Sequence, residues 1–211
     1  MITLHHLSDS RSQRILWLLE ELATGYEIVA YERDTATRLA PPELEKIHPL
    51  GKSPVIVDGD VLIHESGAIV DYLIGKYGKG KLVPAPDAAE YIKYMEWLHY
   101  AEGSAMLPLL LRLYTGRLGD AAEPLMPQID GETANHFSFM NREMTGKEYF
   151  VGNSLTGADI MMSFPLEAAR ARGLLASYPE LSAFVERMQS RPAYLNALEK
   201  GGVYSYGPAT S

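Results

Sequence analysis

The sequence predicts an α+β chain in two parts: an α/β half over residues 1–78 and an all-helical half over 89–211, joined by a linker at 79–88. Three observations carry this. Through the first part, short β-branched runs take turns with helically spaced apolar residues. The stretch GKGKLVPAPDA, beginning at Gly78, is rich in Gly, Pro and Lys and reads as a connection between domains. Beyond it, strand signals vanish and long helical patterns take over. The 211 residues suffice for one large domain or two small ones with cores of their own.

The elements follow in order. Residues 2–5 read as a strand. From Arg11 to Ala23, Ile15, Leu16, Leu18, Leu19 and Leu22 fall at helical spacing. YEIVAYE, residues 26–32, alternates and is β-branched, so it reads as a second strand. APPELEKIHP is a short helix with proline at both ends. In VIVDGDVLI, Val55, Val57, Val61 and Ile63 belong to two short strands joined at Asp58-Gly59-Asp60. A helix then runs from Ser66 to Tyr77. In the second half, helical patterns cover 89–118, 124–144, 156–172 and 182–199. The tail GGVYSYGPATS is irregular and reads as mobile, draped over a surface, or a lid.

Composition narrows the function. A hydrophobic share of 46% and a charged share of 22% are those of a soluble globular protein. With no cysteine, disulfides, thiolate metal sites and a cysteine nucleophile are excluded. The net charge of -8 argues against a general nucleic-acid role and requires any anionic ligand to be held by local positive charge or helix N-termini. No metal site is expected, because the histidines lack ligand spacing and His5 and His6 point to opposite faces of a strand. MITLHHLSDS lacks the basic start and apolar core of a signal peptide. AMLPLLL is far shorter than the roughly 20 residues of a membrane helix. A cytoplasmic chain is the expectation.

Four places could carry chemistry, and each has a plainer reading beside it. Pro54 at the mouth of a strand cannot donate to a ladder, and it holds Ser53 extended. That leaves the Ser53 backbone open to pair with a peptide-like ligand, or simply marks an edge strand. Glu65 and Ser66 open a helix, where unpaired N–H groups favour a carboxylate and Glu65 could take an ammonium; simple capping explains the same pair. Ser10 and Gln13 form a capping box, yet a hydroxyl at a helix N-terminus is also placed to hydrogen-bond a thiolate. Lys52 could meet a carboxylate or be solvated. Thr156 to Asp159 is a second capping box, read as structural. Tyr100, Ser104 and Tyr114 lie on a stripe that is mostly core, as possible pocket residues.

Taken together and in this order, the motifs resemble the cytosolic glutathione transferases, in a serine-type form of theta- or beta-like, bacterial or fungal style. SDSRSQRILWLLEEL, HPLGKSPVIVDGDVLIHESGAIVDYL, GNSLTGADI and YPELSAFVERMQSRPAYLNALE carry the resemblance along nearly the whole chain. It implies a thioredoxin-like N-terminal domain with a mixed four-stranded sheet, an all-α domain forming the electrophile pocket, and a homodimer. It implies a cis Ser53-Pro54 bond, with Ser53 holding the cysteinyl backbone of glutathione. Glu65 and Ser66 would hold the γ-glutamyl end, and Lys52 the glycine carboxylate. Ser10 matches the catalytic serine, with Ser12 or a backbone N–H as the alternative thiol partner. Glu102 resembles an acid lent across the dimer to the glutathione ammonium. Glutathione would be a co-substrate, with no prosthetic group, and small hydrophobic electrophiles the other substrate. A glutathione-dependent peroxidase and a glutathione-binding regulatory module are the alternatives.

Overall fold

A computed structural model of the protein describes residues 1–208; the last three residues of the irregular tail expected from Gly201 lie outside the described residues. The chain divides into two compact units, one of Met1–Val83 with Met188–Ser211 and one of Pro84–Arg187.

The first unit holds strands β1 (Ile2–Leu7), β2 (Tyr26–Tyr31), β3 (Val55–Asp58) and β4 (Val61–His64). They form one mixed sheet in the order β2-β1-β3-β4. β1 runs parallel to β2 and antiparallel to β3, and β3 is antiparallel to β4. Gly59 and Asp60 make the tight turn, with Gly59 at φ 62, a conformation that suits glycine. Helices α1 (Ser12–Glu21) and α2 (Ser66–Tyr77) connect and follow the strands. This is the thioredoxin-like arrangement.

α1 is buried along Ser12 to Leu19, more than a one-sided amphipathic helix would be. The reason is a helix from the far end of the chain, α8 (Pro192–Gly201), which packs against α1. Trp17 meets Tyr194 edge to face at 5.5 Å. Glu21 accepts Arg191 Nε at 2.6 Å, Arg191 Nη2 at 3.1 Å and Trp17 Nε1 at 2.9 Å. Residues 188–208 thus belong with the first unit, whereas the sequence places them in the helical half. The tail also lies on this unit: Asp9 accepts the Ser205 backbone N–H at 2.7 Å and its hydroxyl at 2.9 Å.

The second unit is helical: α3 (Glu90–Tyr100), α4 (Met106–Thr115), α5 (Met126–Met144), α6 (Gly157–Arg170) and most of α7 (Pro179–Gln189). α6 is buried from Gly157 to Ala169 and forms the centre of its core, as its nearly continuous apolar run requires. Trp97, Phe150 and Phe184 surround this centre, Trp97 to Phe150 at 4.7 Å and Phe150 to Phe184 at 4.9 Å. The Thr156–Asp159 capping box forms with both reciprocal bonds.

Two of the expected helices are interrupted. The pattern over 182–199 is broken at Pro192, because Arg191 before it is held extended at φ -68, ψ 138. The pattern over 89–118 passes through a π turn at Ala101–Ala105, just before Pro108. A proline there has no N–H for the Ser104 carbonyl and crowds it, so the ladder slips by one residue. Among the described residues, no helix is long and apolar enough to cross a membrane.

Candidate active site

The sheet register gathers the candidate residues of the first unit at one end. His5 of β1 stands opposite Val55 of β3, and Val55 stands opposite His64 of β4. The chain therefore leaves β1, enters β3 and leaves β4 at the same edge. Ser10 follows β1, Ser53-Pro54 precedes β3, and Glu65-Ser66 follows β4. Ring stacking of His48 on His64, at 4.1 Å, ties the loop that carries Lys52 to this end.

The Ser53-Pro54 peptide bond is cis. The Ser53 hydroxyl donates to the His5 carbonyl at 2.8 Å, which fastens the turn to β1. The sheet ladder begins only at Val55, so the Ser53 backbone stands outside it. Lys52 is exposed beside it.

Glu65 sits at φ 69, ψ 118, a left-handed-side conformation that a non-glycine residue adopts only with strain, about 1–3 kcal/mol. It stands at the N-cap of α2 but makes no side-chain cap bond. Simple capping thus does not account for the acid. Its carbonyl accepts the Ile69 N–H at 2.9 Å, closing the first turn, while its carboxylate is on the exposed side. Ser66, by contrast, is buried at the first position of the helix.

Ser10 and Ser12 have different surroundings. The expected Ser10–Gln13 capping box is not formed: Ser10 Oγ accepts the Ser12 N–H at 3.2 Å, and the Gln13 amide has no hydrogen-bond partner. One turn of chain separates them as expected, but the tight fit around α1 turns Gln13 toward Gly201 rather than back to Ser10. Ser12 Oγ is fully buried and meets Ser10 Oγ at 2.8 Å, His6 Nδ1 at 2.9 Å, the Leu7 carbonyl at 3.1 Å and the Leu7 N–H at 3.2 Å. With that many neighbours, it has no bonding direction left for a ligand. Ser10 retains slight exposure.

His6 is the group that sequence reasoning passed over. Alternation along β1 sends His5 to Tyr31 Oη, at 2.9 Å, and His6 to the opposite face against Ser12. Burial lowers the pKa of His5; it lowers that of His6 as well, against a hydrogen bond to the Gly201 backbone that raises it. The paired histidines were the available signal.

The other candidates lie in the second unit. Tyr100 and Ser104 line a cavity of about 520 Å³ together with Trp97, His99 and Phe139. Tyr100 Oη is 2.6 Å from His136 Nδ1, and burial pushes its phenol up to about 12. Tyr114 is 58% exposed and is not part of that lining. Glu102 lies in the π turn and is half-buried.

Comparison with known proteins gives the family. Residues 1–74 match the glutathione S-transferase N-terminal domain, and residues 103–192 match the glutathione S-transferase C-terminal domain. Glutathione S-transferase 3 of Schizosaccharomyces pombe is 36% identical over 95% of this chain and 88% of its own. Glutathione S-transferase 1 of Saccharomyces cerevisiae is 36% identical over 95% of each. The crystal structure of a glutathione S-transferase from Actinobacillus pleuropneumoniae is 37% identical, covers 95% of this chain and 93% of that one, and superposes with a TM-score of 0.88. With both domains matched and relatives of this similarity spanning its length, the chain belongs to the glutathione S-transferase family of enzymes.

Proposed function

We propose that the protein conjugates reduced glutathione to small hydrophobic electrophiles, using Ser10 to hold the thiolate. The observation that carries this is the gathering of Ser10, Ser53-Pro54 and Glu65-Ser66 at one end of the sheet, with Glu65 strained and making no cap. The Ser53 backbone pairs with the cysteinyl residue as an added strand would. The first-turn N–H groups of α2 and the Ser66 hydroxyl receive the γ-glutamyl carboxylate. Glu65 receives the ammonium, and Lys52 the glycine carboxylate. Ser10, rather than the saturated Ser12, donates to the sulfur. A thiol near pKa 8.5 is mostly protonated at neutral pH, so this donor raises the concentration of the nucleophile.

Tyr100 and Ser104 line a cavity whose Trp97 and Phe139 rings offer apolar contact to an electrophile, with Lys93, Glu96 and Glu143 among its other walls. The working form is a cytoplasmic homodimer, with Glu102 of the partner subunit near the ammonium. Ile92 and Met95, exposed on α3 at 62% and 40%, are apolar side chains that such an interface would cover. Sedimentation equilibrium is expected to give two chains per particle; a monomer at micromolar concentration would refute the dimer.

Two measurements test the function together: calorimetry with reduced glutathione, and turnover with aryl halides and unsaturated carbonyls beside an organic hydroperoxide. Saturable heat and a thioether product are expected. Turnover confined to the hydroperoxide overturns conjugation, and absence of heat at millimolar ligand removes the site. Within it, Glu65→Gln is expected to weaken glutathione about tenfold or more, since a charge-assisted bond is worth about 1.5–3 kcal/mol. Unchanged affinity would take Glu65 out of the role.

A further inference from the structure

We propose that His6 is the proton acceptor for the glutathione thiol, acting through the hydroxyls of Ser12 and Ser10. This rests on Ser10 being the group that meets the sulfur.

The argument is a count of hydrogens. His6 Nδ1 lies 2.9 Å from Ser12 Oγ, and Ser12 Oγ lies 2.8 Å from Ser10 Oγ. Each of these two contacts needs one hydrogen between its heavy atoms. The other ring nitrogen, Nε2, is directed at Gly201, the last residue of α8, and that backbone hydrogen bond favours the protonated ring. In the neutral ring the hydrogen is therefore on Nε2, and Nδ1 is an acceptor. Ser12 then donates to Nδ1 at 2.9 Å rather than to the Leu7 carbonyl at 3.1 Å, since otherwise two lone pairs would face each other across the shorter contact, and Ser10 donates to Ser12. Ser12 also accepts the Leu7 N–H and is thereby fully occupied, whereas Ser10 accepts only the Ser12 N–H and keeps one lone pair for the ligand.

In this state the Ser10 hydrogen points inward, away from the ligand. If it turns to a thiolate, one hydroxyl hydrogen remains for two contacts. The missing hydrogen has to sit on His6 Nδ1. It is the one the thiol loses.

The transfer balances without any outside base. The S–H bond breaks with its electron pair left on sulfur, and the hydrogen goes to Ser10 Oγ. The Ser10 hydrogen passes to Ser12 Oγ, and the Ser12 hydrogen passes to His6 Nδ1. The products are a thiolate, two neutral hydroxyls with reversed direction, and an imidazolium, with no change in net charge. Ser10 now donates to sulfur, Ser12 to Ser10, and His6 to Ser12. The imidazolium also donates to the C-terminal end of α8, where backbone carbonyls favour a cation.

Burial lowers the His6 pKa, the largest influence, so the ring without ligand is neutral at pH 7, and the charge of the new thiolate has to offset that burial cost when the ring takes the proton. The groups that bond it are the Ser12 hydroxyl of α1 and the Gly201 backbone of α8, both uncharged, and no charged side chain is among the causes of its shift. Gly201 is constrained by this packing: a Cβ there would stand 2.8 Å from Leu16 Cδ2 and 3.3 Å from His6 Nε2.

The test compares the wild type with His6→Asn and Ser10→Ala. Asparagine can reach Ser12 but cannot take a proton. Calorimetry gives glutathione affinity in each, and the ultraviolet thiolate band gives the pKa of the bound thiol. We expect His6→Asn to bind glutathione within about threefold of wild type, with the thiol pKa raised by about one unit, a tenfold loss of thiolate at a pH below both values. In the wild type, the nitrogen NMR shifts of the His6 ring should move to the imidazolium pattern with glutathione at neutral pH, and not with S-methylglutathione. This second measurement stands even if His6→Asn does not fold. A ring that stays neutral with both ligands overturns the relay. So does an unchanged thiol pKa in His6→Asn while Ser10→Ala raises it, a result that leaves the Ser10 assignment intact. An unchanged thiol pKa in Ser10→Ala overturns the Ser10 assignment and the relay with it.

Discussion

Ser10→Ala is expected to lower turnover at about pH 6.5 by tenfold or more while leaving glutathione affinity nearly unchanged. The magnitude follows from one bond. A hydroxyl donating to a thiolate is a charge-assisted hydrogen bond, worth about 1.5–3 kcal/mol. Each 1.4 kcal/mol or so corresponds to one pKa unit of the thiol. Removing the donor therefore raises the thiol pKa by about one to two units and cuts the thiolate fraction below the pKa by about 10–100-fold. Affinity is spared under the proposal above, in which the tripeptide is held by Ser53, Glu65 and Ser66 rather than by Ser10. The loss should also shrink as pH rises, because solvent then deprotonates the thiol without help. A uniform loss at every pH would mean that alanine disturbed the site rather than the thiolate. Equal turnover in mutant and wild type would transfer the role to a backbone N–H. Ser12 is a poor substitute, since its oxygen is fully buried among Ser10, His6 and Leu7.

What could be read ahead of the structure was local. The turn at Gly59, the proline at the mouth of β3 and the Glu-Ser start of α2 lie within a dozen residues of one another, and each has its own backbone signature. Helix α2 begins and ends at the expected residues for that reason. The interruption at Pro192 had a signal too, but the apolar spacing of the flanking helices continues through it and masks the break. The π turn before Pro108 is different, because a one-residue slip leaves the apolar face almost where it was. Long-range pairing was not legible in residue spacing; the four-stranded sheet was implied only by the family resemblance. Nothing near residue 200 says that α8 covers α1, yet that cover is why Trp17 is buried and why His6 meets Gly201. The Ser10–Gln13 box failed for the same cause, as Gln13 faces α8 rather than the turn it was expected to close. Of the pocket residues expected, Tyr100 and Ser104 line the cavity and Tyr114 does not, because an exposed helical tyrosine and a pocket tyrosine have the same spacing.

The largest stability effect is expected from Asp159→Ala, at about 3–5 kcal/mol, read from chemical denaturation of the full chain. Asp159 is fully buried at the third position of α6. Its carboxylate accepts the Phe150 N–H at 2.8 Å, the Thr156 N–H at 2.8 Å and the Thr156 hydroxyl at 2.9 Å. Alanine would orphan two buried backbone donors at about 1–3 kcal/mol each and weaken the cap of α6 by about 1 kcal/mol. Since α6 is the centre of the helical core, and domains of this kind have only about 5–15 kcal/mol in total, the loss is a large share. Asparagine keeps one accepting oxygen but presents an NH2 to a second donor, so it should fall between. The pH profile separates charge from geometry. Burial pushes the Asp159 carboxyl up to about 6, outweighing the hydrogen bonds it accepts, against about 4 in the unfolded chain. The folded state therefore binds this proton more readily, and the resulting contribution is fully present below about pH 4 and is lost as pH rises through 6. The wild type should show that slope and Asp159→Asn should not. A cost under about 1 kcal/mol for alanine would mean that water replaces the carboxylate at Phe150 and Thr156, and that α6 does not depend on this residue for its position.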